Sequence, residues 1–293
     1  MKKLKFAIIA VSISLLFCPI STKGAYNVSV GDTFTYTVKA SYWTATHGSN
    51  SDTVEKYRLF LDAYNVGTNF DVNVTNVLAD EVEYDIITNT NNYSWSNDMF
   101  NFQINFLFFM SQPTIDAMTF ASGWPTWDFD HGLPVDFFFF LDTDASTFSY
   151  FENWVTTPIL TENLTKSGWE NTHIEAYFDD SGAVAVFDWI IEGGLVYTSL
   201  DQIDIDGYYR LTYAFDKATG VFQGYHYESH FEGIVEGEIY KSETEQEVHL
   251  TGYSVPDFYF TTTGNYLPSF KWYMPILVLS SIILISAIIR KRK

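Results

Sequence analysis

The chain has 293 residues, 36 acidic side chains against 16 lysines and arginines, a net charge of −20 and an aromatic content of 18%. A field of that sign repels nucleic acid and anionic headgroups, which excludes nucleic-acid binding as a function class. The one cysteine, Cys18, sits in the N-terminal apolar run, so no disulfide framework is expected and the core must hold the fold.

The N-terminus carries Lys2, Lys3 and Lys5, then apolar residues from Phe6 to Phe17, then Pro19. A basic cap, a short apolar stretch and a breaker predict a secretory signal over residues 1–24, cut after Gly24 or, alternatively, after Ser21. The run is too short to cross a hydrocarbon layer of ~30 Å. At the other end, residues 272–289 hold no charge and are followed by Arg290-Lys291-Arg292-Lys293. That length at ~1.5 Å per residue spans a bilayer, and the basic tail stays on the cytoplasmic side. The expected plan is a signal (1–24), a β-rich ectodomain (25–253), a stalk (254–271), a transmembrane helix (272–289) and a cytoplasmic tail (290–293). The expected location is therefore the cell membrane, single-pass, with the ectodomain extracellular and the membrane itself a partner through the C-terminal helix. Residues 25–270 hold seven cations against all 36 acids, a balance of about −29.

The ectodomain reads as strand after strand. Phe34, Tyr36 and Val38 alternate with threonines, as in a half-buried strand. Phe70, Val72 and Val74, then Val82, Tyr84 and Ile86, alternate with polar residues and predict a hairpin with one wet face. Ile174 and Phe178 lead through Asp179-Asp180-Ser181-Gly182 to Val184 and Val186; Tyr213 and Phe215 lead through Asp216-Lys217-Ala218-Thr219-Gly220 to Val221 and Tyr225. These two similar turns suggest successive rungs of a meander. A last strand is expected over residues 245–253. Two short helices are predicted at 113–121 and 146–157. The fold class is thus mainly β, an antiparallel β-sandwich or a strongly curved sheet (half-barrel) with two short helices and one C-terminal transmembrane helix. Phe137-Phe138-Phe139-Phe140-Leu141 marks the most apolar segment, expected as doubly buried core or as the lining of an apolar groove.

His226, Glu228 and His230 share a face if they lie on a strand, and two imidazoles with a carboxylate suit Zn²⁺ or another transition metal. The competing reading makes them the wet side of a strand whose other side is Tyr225, Tyr227 and Phe231. Asp204 and Asp206 before Gly207 resemble part of a calcium loop, but Tyr213 stands where its bidentate glutamate belongs. Trp124, Trp127, Asp128, Asp130 and His131 form a second candidate, able to read a sugar by stacking and carboxylate hydrogen bonds. Asn27, Asn73, Asn92 and Asn163 head glycosylation sequons. No nucleophile elbow, phosphate loop or dinucleotide fingerprint occurs, so no catalytic residue is assigned and no cofactor beyond a divalent cation is expected.

In its plan the chain resembles archaeal cell-surface proteins, notably of Asgard (Loki-type) lineages. The resemblance rests on Val30-Gly31-Asp32-Thr33-Phe34-Thr35-Tyr36 and on Leu267-Pro268-Ser269-Phe270 through Lys293, where Leu-Pro-Ser-Phe departs from a Pro-Gly anchor motif. It implies surface display and transfers no catalytic residue. The first functional expectation is a non-enzymatic envelope or recognition module whose partner is a surface protein or a glycan. The alternatives are a binder of an apolar ligand in a Phe-rich groove, and a metal-assisted extracellular hydrolase acting through His226 and His230.

Overall fold

The computed structural model describes residues 26–59, 62–98, 133–134, 138–144, 147–148, 169–197 and 202–255. Its strands are β1 (Thr33–His47), β2 (Asn50–Val54), β3 (Lys56–Leu59), β4 (Asp62–Asn65), β5 (Asn69–Val77), β6 (Glu81–Ile87), β7 (Asn92–Asp98), β8 (Leu133–Pro134), β9 (Trp169–Asp179), β10 (Val184–Tyr197), β11 (Ile203–Asp216), β12 (Phe222–Val235) and β13 (Glu238–Leu250). The expected transmembrane segment, the stalk beyond residue 255, the signal and the helix at 113–121 lie outside the described residues. Of the segment 146–157 only Thr147 and Phe148 are described, both buried. No helix among the described residues is long and apolar enough to cross a membrane.

One ten-stranded antiparallel sheet has the order β7-β6-β5-β1-β13-β12-β11-β10-β9, with β2 pairing to the second half of β1. A small sheet, β4-β3-β8, contributes the buried Tyr57 and Leu59. The predicted hairpin is β5–β6, with Val74 opposite Tyr84. The two Asp-to-Gly turns join β9 to β10 and β11 to β12, so β9 through β13 form the expected meander. Strand alternation explains the layers: Tyr209, Leu211, Tyr213, Tyr225, Tyr227 and Phe231 are buried on one side; on the other, Tyr208, His226, Glu228 and His230 are half-buried, while Arg210, Thr212 and Ala214 are buried as well. Asp204 and Asp206 lie inside the continuous strand β11 rather than in a loop. Gly207 serves packing there, since a Cβ would lie 2.0 Å from the His230 carbonyl oxygen and 2.5 Å from the Phe231 ring.

The large sheet does not close into a barrel. Phe139 N–H donates to Asn97 Oδ1 of β7 at 2.9 Å, while its carbonyl accepts from Phe222 N–H at the start of β12, also at 2.9 Å. In a flat sheet those two strands, five places apart, would be separated by ~24 Å. One residue reaches both only because the intervening strands curl around it. Phe139 is fully buried, with ring centroids 5.0 Å from Tyr36, 5.5 Å from Tyr84, 6.0 Å from Phe70 and 6.1 Å from Phe222. Phe138, Phe140 and Leu141 are buried with it, so the described part of the Phe-rich run is packed core. Gly220 holds the next link: φ is +71°, and a Cβ there would come within 1.9 Å of the Leu141 carbonyl oxygen.

Candidate functional site: the outward face of β10 to β13

On the side of the sheet opposite the core tyrosines, the positions of β11, β12 and β13 fall into cross-strand rows whose β11 members Arg210 and Thr212 are themselves buried. Thr212, His226 and Glu247 form one row, Arg210, Glu228 and Glu245 the next, and Tyr208, His230 and Glu243 a third. In β12 and β13 the acids and imidazoles come at every second residue, which is what brings them to one side.

At the β10 side of this face lies a buried ion pair. Arg210 Nη2 is 3.3 Å from Asp188 Oδ2, with side-chain exposures of 2% and 0%. Thr212 Oγ1 donates to the other carboxylate oxygen at 3.0 Å. Nearby, burial raises the Glu192 carboxyl above its ordinary value, with Glu175 adding to the effect and His173 and Arg210 opposing it. Tyr208 O–H donates to Glu228, and burial together with that carboxylate pushes the phenol far up. The Tyr208 ring stacks on His230 at a centroid distance of 6.2 Å.

Toward β13, every imidazole meets a carboxylate. His230 Nδ1 lies 3.3 Å from Glu243 Oε1 and its Nε2 lies 3.8 Å from Glu232. Lys241 Nζ is 2.7 Å from the same Glu243 oxygen. Lys241 is the main reason the Glu243 carboxyl is held below its usual range, and the pairing raises Lys241 in return. His226 Nε2 lies 3.5 Å from Glu245 Oε1. His249 Nε2 contacts Glu247, whose carboxyl it holds low against the opposing effect of burial.

The expected trio is therefore on one face of one strand but is not gathered around a common point. Glu228 turns to Tyr208, while His226 and His230 turn to glutamates of β13. Among the described residues, no three His, Cys, Asp or Glu side chains converge as a metal cluster. The second candidate, Trp124, Trp127, Asp128, Asp130 and His131, lies outside the described residues. Of the sequons, Asn27 and Asn92 are exposed, Asn73 is half-buried on the wet side of β5, and Asn163 lies outside the described residues. Asn73 Oδ1 accepts from Thr33 Oγ1 at 3.1 Å, which confirms the outward register read from the alternation.

Sequence reasoning missed Asp188, Arg210, Tyr208 and the row Glu243, Glu245, Glu247 and His249. The last row did carry a signal: acids and a histidine recur at every odd position from 243 to 249. Comparison with protein-family models, with curated proteins and with solved structures found no match for this chain.

Proposed function

We propose that the chain is a membrane-anchored extracellular surface protein whose β-rich body acts as a non-enzymatic envelope or recognition module. The observation that carries the reading is the charge layout: all 36 acids lie between Asp32 and Asp257, flanked by a basic-capped apolar run before them and an uncharged run with a four-cation tail after them. The curved sheet, half-barrel in form, displays its outward face while residues 272–289 hold it to the bilayer. The arrangement of that face fits recognition better than catalysis. Its carboxylates and imidazoles are engaged with one another, across strands or along β13, rather than set around a space where a substrate atom could sit. A glycan or a protein surface is the partner such a face suits, and Asn27, Asn73 and Asn92 are the described positions that would carry sugars. The apolar-groove alternative loses support from the packing of residues 138–141 into the core.

The test is topological. Intact cells expressing the full chain with a C-terminal epitope are treated with protease. The expected result is loss of the ectodomain and protection of the tail, with deletion of residues 272–293 releasing the protein to the medium. Retention in the cytoplasm with the N-terminal segment uncleaved overturns the reading.

A further inference from the structure

Asn91 and Asn92 are neighbours at the end of one turn, yet the fold treats them differently. The turn of residues 88–91 joins β6 to β7 and is fixed by Thr88, whose Oγ1 accepts from the Asn91 N–H at 2.9 Å and donates to the Asn91 carbonyl at 3.1 Å. The Asn91 amide is engaged by Asp62. The Asn92 side chain is exposed and, among the described residues, makes no hydrogen bond. Of the two, only Asn92 heads a sequon, completed by Ser94. Strand β7 is the outermost described strand on its side of the sheet, so Asn92 has a neighbouring strand on one flank only. Directly opposite it on that strand is Ile87, 39% exposed on the same face. Beyond Ile87 in the same row lies Asp71, about 10 Å from Asn92 across two strand spacings. The other described sequons are placed otherwise. Asn27 Nδ2, the atom a sugar would be joined to, donates to the Ala218 carbonyl at 2.7 Å and ties the chain ahead of β1 to the turn between β11 and β12. Asn73 is half-buried between β1 and β6, and its Oδ1 accepts from Thr33.

We propose that Asn92 is the glycosylated asparagine of the described body and that its first sugar lies over Ile87. The proposal rests on the extracellular reading, since the sugar donor is met outside the cytoplasm. The transfer joins Nδ2 to the anomeric carbon of a sugar carried on a lipid phosphate. The bond from that carbon to the phosphate oxygen breaks, the lipid phosphate leaves with the electron pair, and one Nδ2 proton passes to base. Asn92 gives up no existing hydrogen bond in that step, whereas a sugar on Asn27 has to fit against the turn that its Nδ2 already holds. A pyranose ring has a face of C–H groups and a rim of hydroxyls. Laid along the row from Asn92, it removes apolar Ile87 surface from water and brings its hydroxyls toward Asp71 and Asp85. Each of those carboxylates already accepts from one hydroxyl, Thr35 and Ser94 respectively, and has further acceptor positions.

The experiment is glycopeptide mass spectrometry of the full-length protein recovered from whole cells of an N-glycosylating host. Sugar on Asn92, with Asn27 and Asn73 bare, is the expected result. Ser94→Ala should abolish the Asn92 sugar and Ser94→Thr should keep it, although both leave Asn92 in place. A bare Asn92, or sugar on Asn27 or Asn73, in a protein whose N-terminal segment has been removed overturns the assignment and leaves the extracellular reading standing. An uncleaved N-terminus with every sequon bare overturns both. The place of the sugar is read separately: enzymatic release of the glycan should lower the thermal midpoint of the unaltered protein, and lower it less in Ile87→Thr. An equal fall in the two proteins, or none in either, overturns the placement over Ile87.

Discussion

Replacing Arg210 with Met removes one charge from a pair that water does not reach. Asp188 then remains at 0% side-chain exposure, with the Thr212 hydroxyl still donating to it but without the guanidinium charge. Breaking a buried pair on one side costs about 3–5 kcal/mol, whereas replacing both partners by apolar groups of similar volume is often close to neutral. Arg210→Met and Asp188→Leu are therefore each expected to lose most of that amount, and the double variant to recover much of it, with a coupling energy of about 3 kcal/mol. Against a total stability on the order of 5–15 kcal/mol, either single change removes a large share. The assay is urea unfolding followed by tryptophan fluorescence, because the buried Trp189 is the next residue to Asp188. With an m-value of about 3 kcal/mol/M, each single variant lowers the midpoint by roughly 1 M or more. Single effects that simply add in the double variant, with coupling below about 0.5 kcal/mol, would refute the reasoning.

Phe139→Ala is expected to cost about 3–5 kcal/mol by emptying the centre of the curled half, and Phe139→Leu clearly less; the same unfolding assay measures both. Gly220→Ala is expected to destabilise by at least about 1–3 kcal/mol, because the position needs positive φ and a Cβ meets the Leu141 carbonyl; a rise in stability would count against the link between that turn and the Phe segment. Acid sensitivity follows from Asp62, Glu243 and Glu247, whose carboxyls sit below their ordinary values through Tyr93, Lys241 and His249 respectively. Folded values below unfolded ones mean stability that is present above the unfolded value and lost as pH falls through the folded one, so thermal midpoints should drop below about pH 4.5. Glu192 has the opposite sign, its carboxyl being raised by burial, so Glu192→Gln should raise the thermal midpoint at pH 7 and change it little at pH 4.

Some of this architecture could be read from residue order and some could not, and the difference is physical. Where one face is apolar and the other polar, as in Phe34-Thr35-Tyr36-Thr37-Val38 or Val82-Glu83-Tyr84-Asp85-Ile86, period two announces the strand and its orientation. Strand β13 defeats that logic. Ser242, Thr244 and Gln246 are buried while Lys241, Glu243 and Glu245 face out, so both sides look wet. The expected strand over 245–253 accordingly started seven residues late and ran past the true end at Leu250. Tyr225 O–H donating to Gln246 Oε1 at 3.3 Å shows one way the interior tolerates those polar groups. Asn97 was equally opaque: in a polar stretch it looks like a surface residue, yet it is fully buried and accepts from the backbone of Phe139. The pairing of β1 with β13 depends on partners from opposite ends of the body, and no local pattern encodes such a register. For the candidate site, the strand placement of His226, Glu228 and His230 was legible, but their actual partners on β11 and β13 depended on registers that were not.

That pairing of β1 with β13 also sets a timetable. Tyr36 meets Leu250, and His47 meets Tyr240, so the first long strand waits for the last. With synthesis at about 5–20 residues per second, the roughly 200 residues between them take on the order of 10–40 s to appear. During that interval the full β13-facing edge of β1 has no partner, while hairpins such as β5–β6 and β9–β10 can form locally. Neighbouring chains at the same stage expose the same edge. Thr33–His47 itself holds no acid and one lysine, Lys39, so the repulsion between such chains comes from the acids that follow it, and the acidity of the body acts on the growing protein before it serves the finished one.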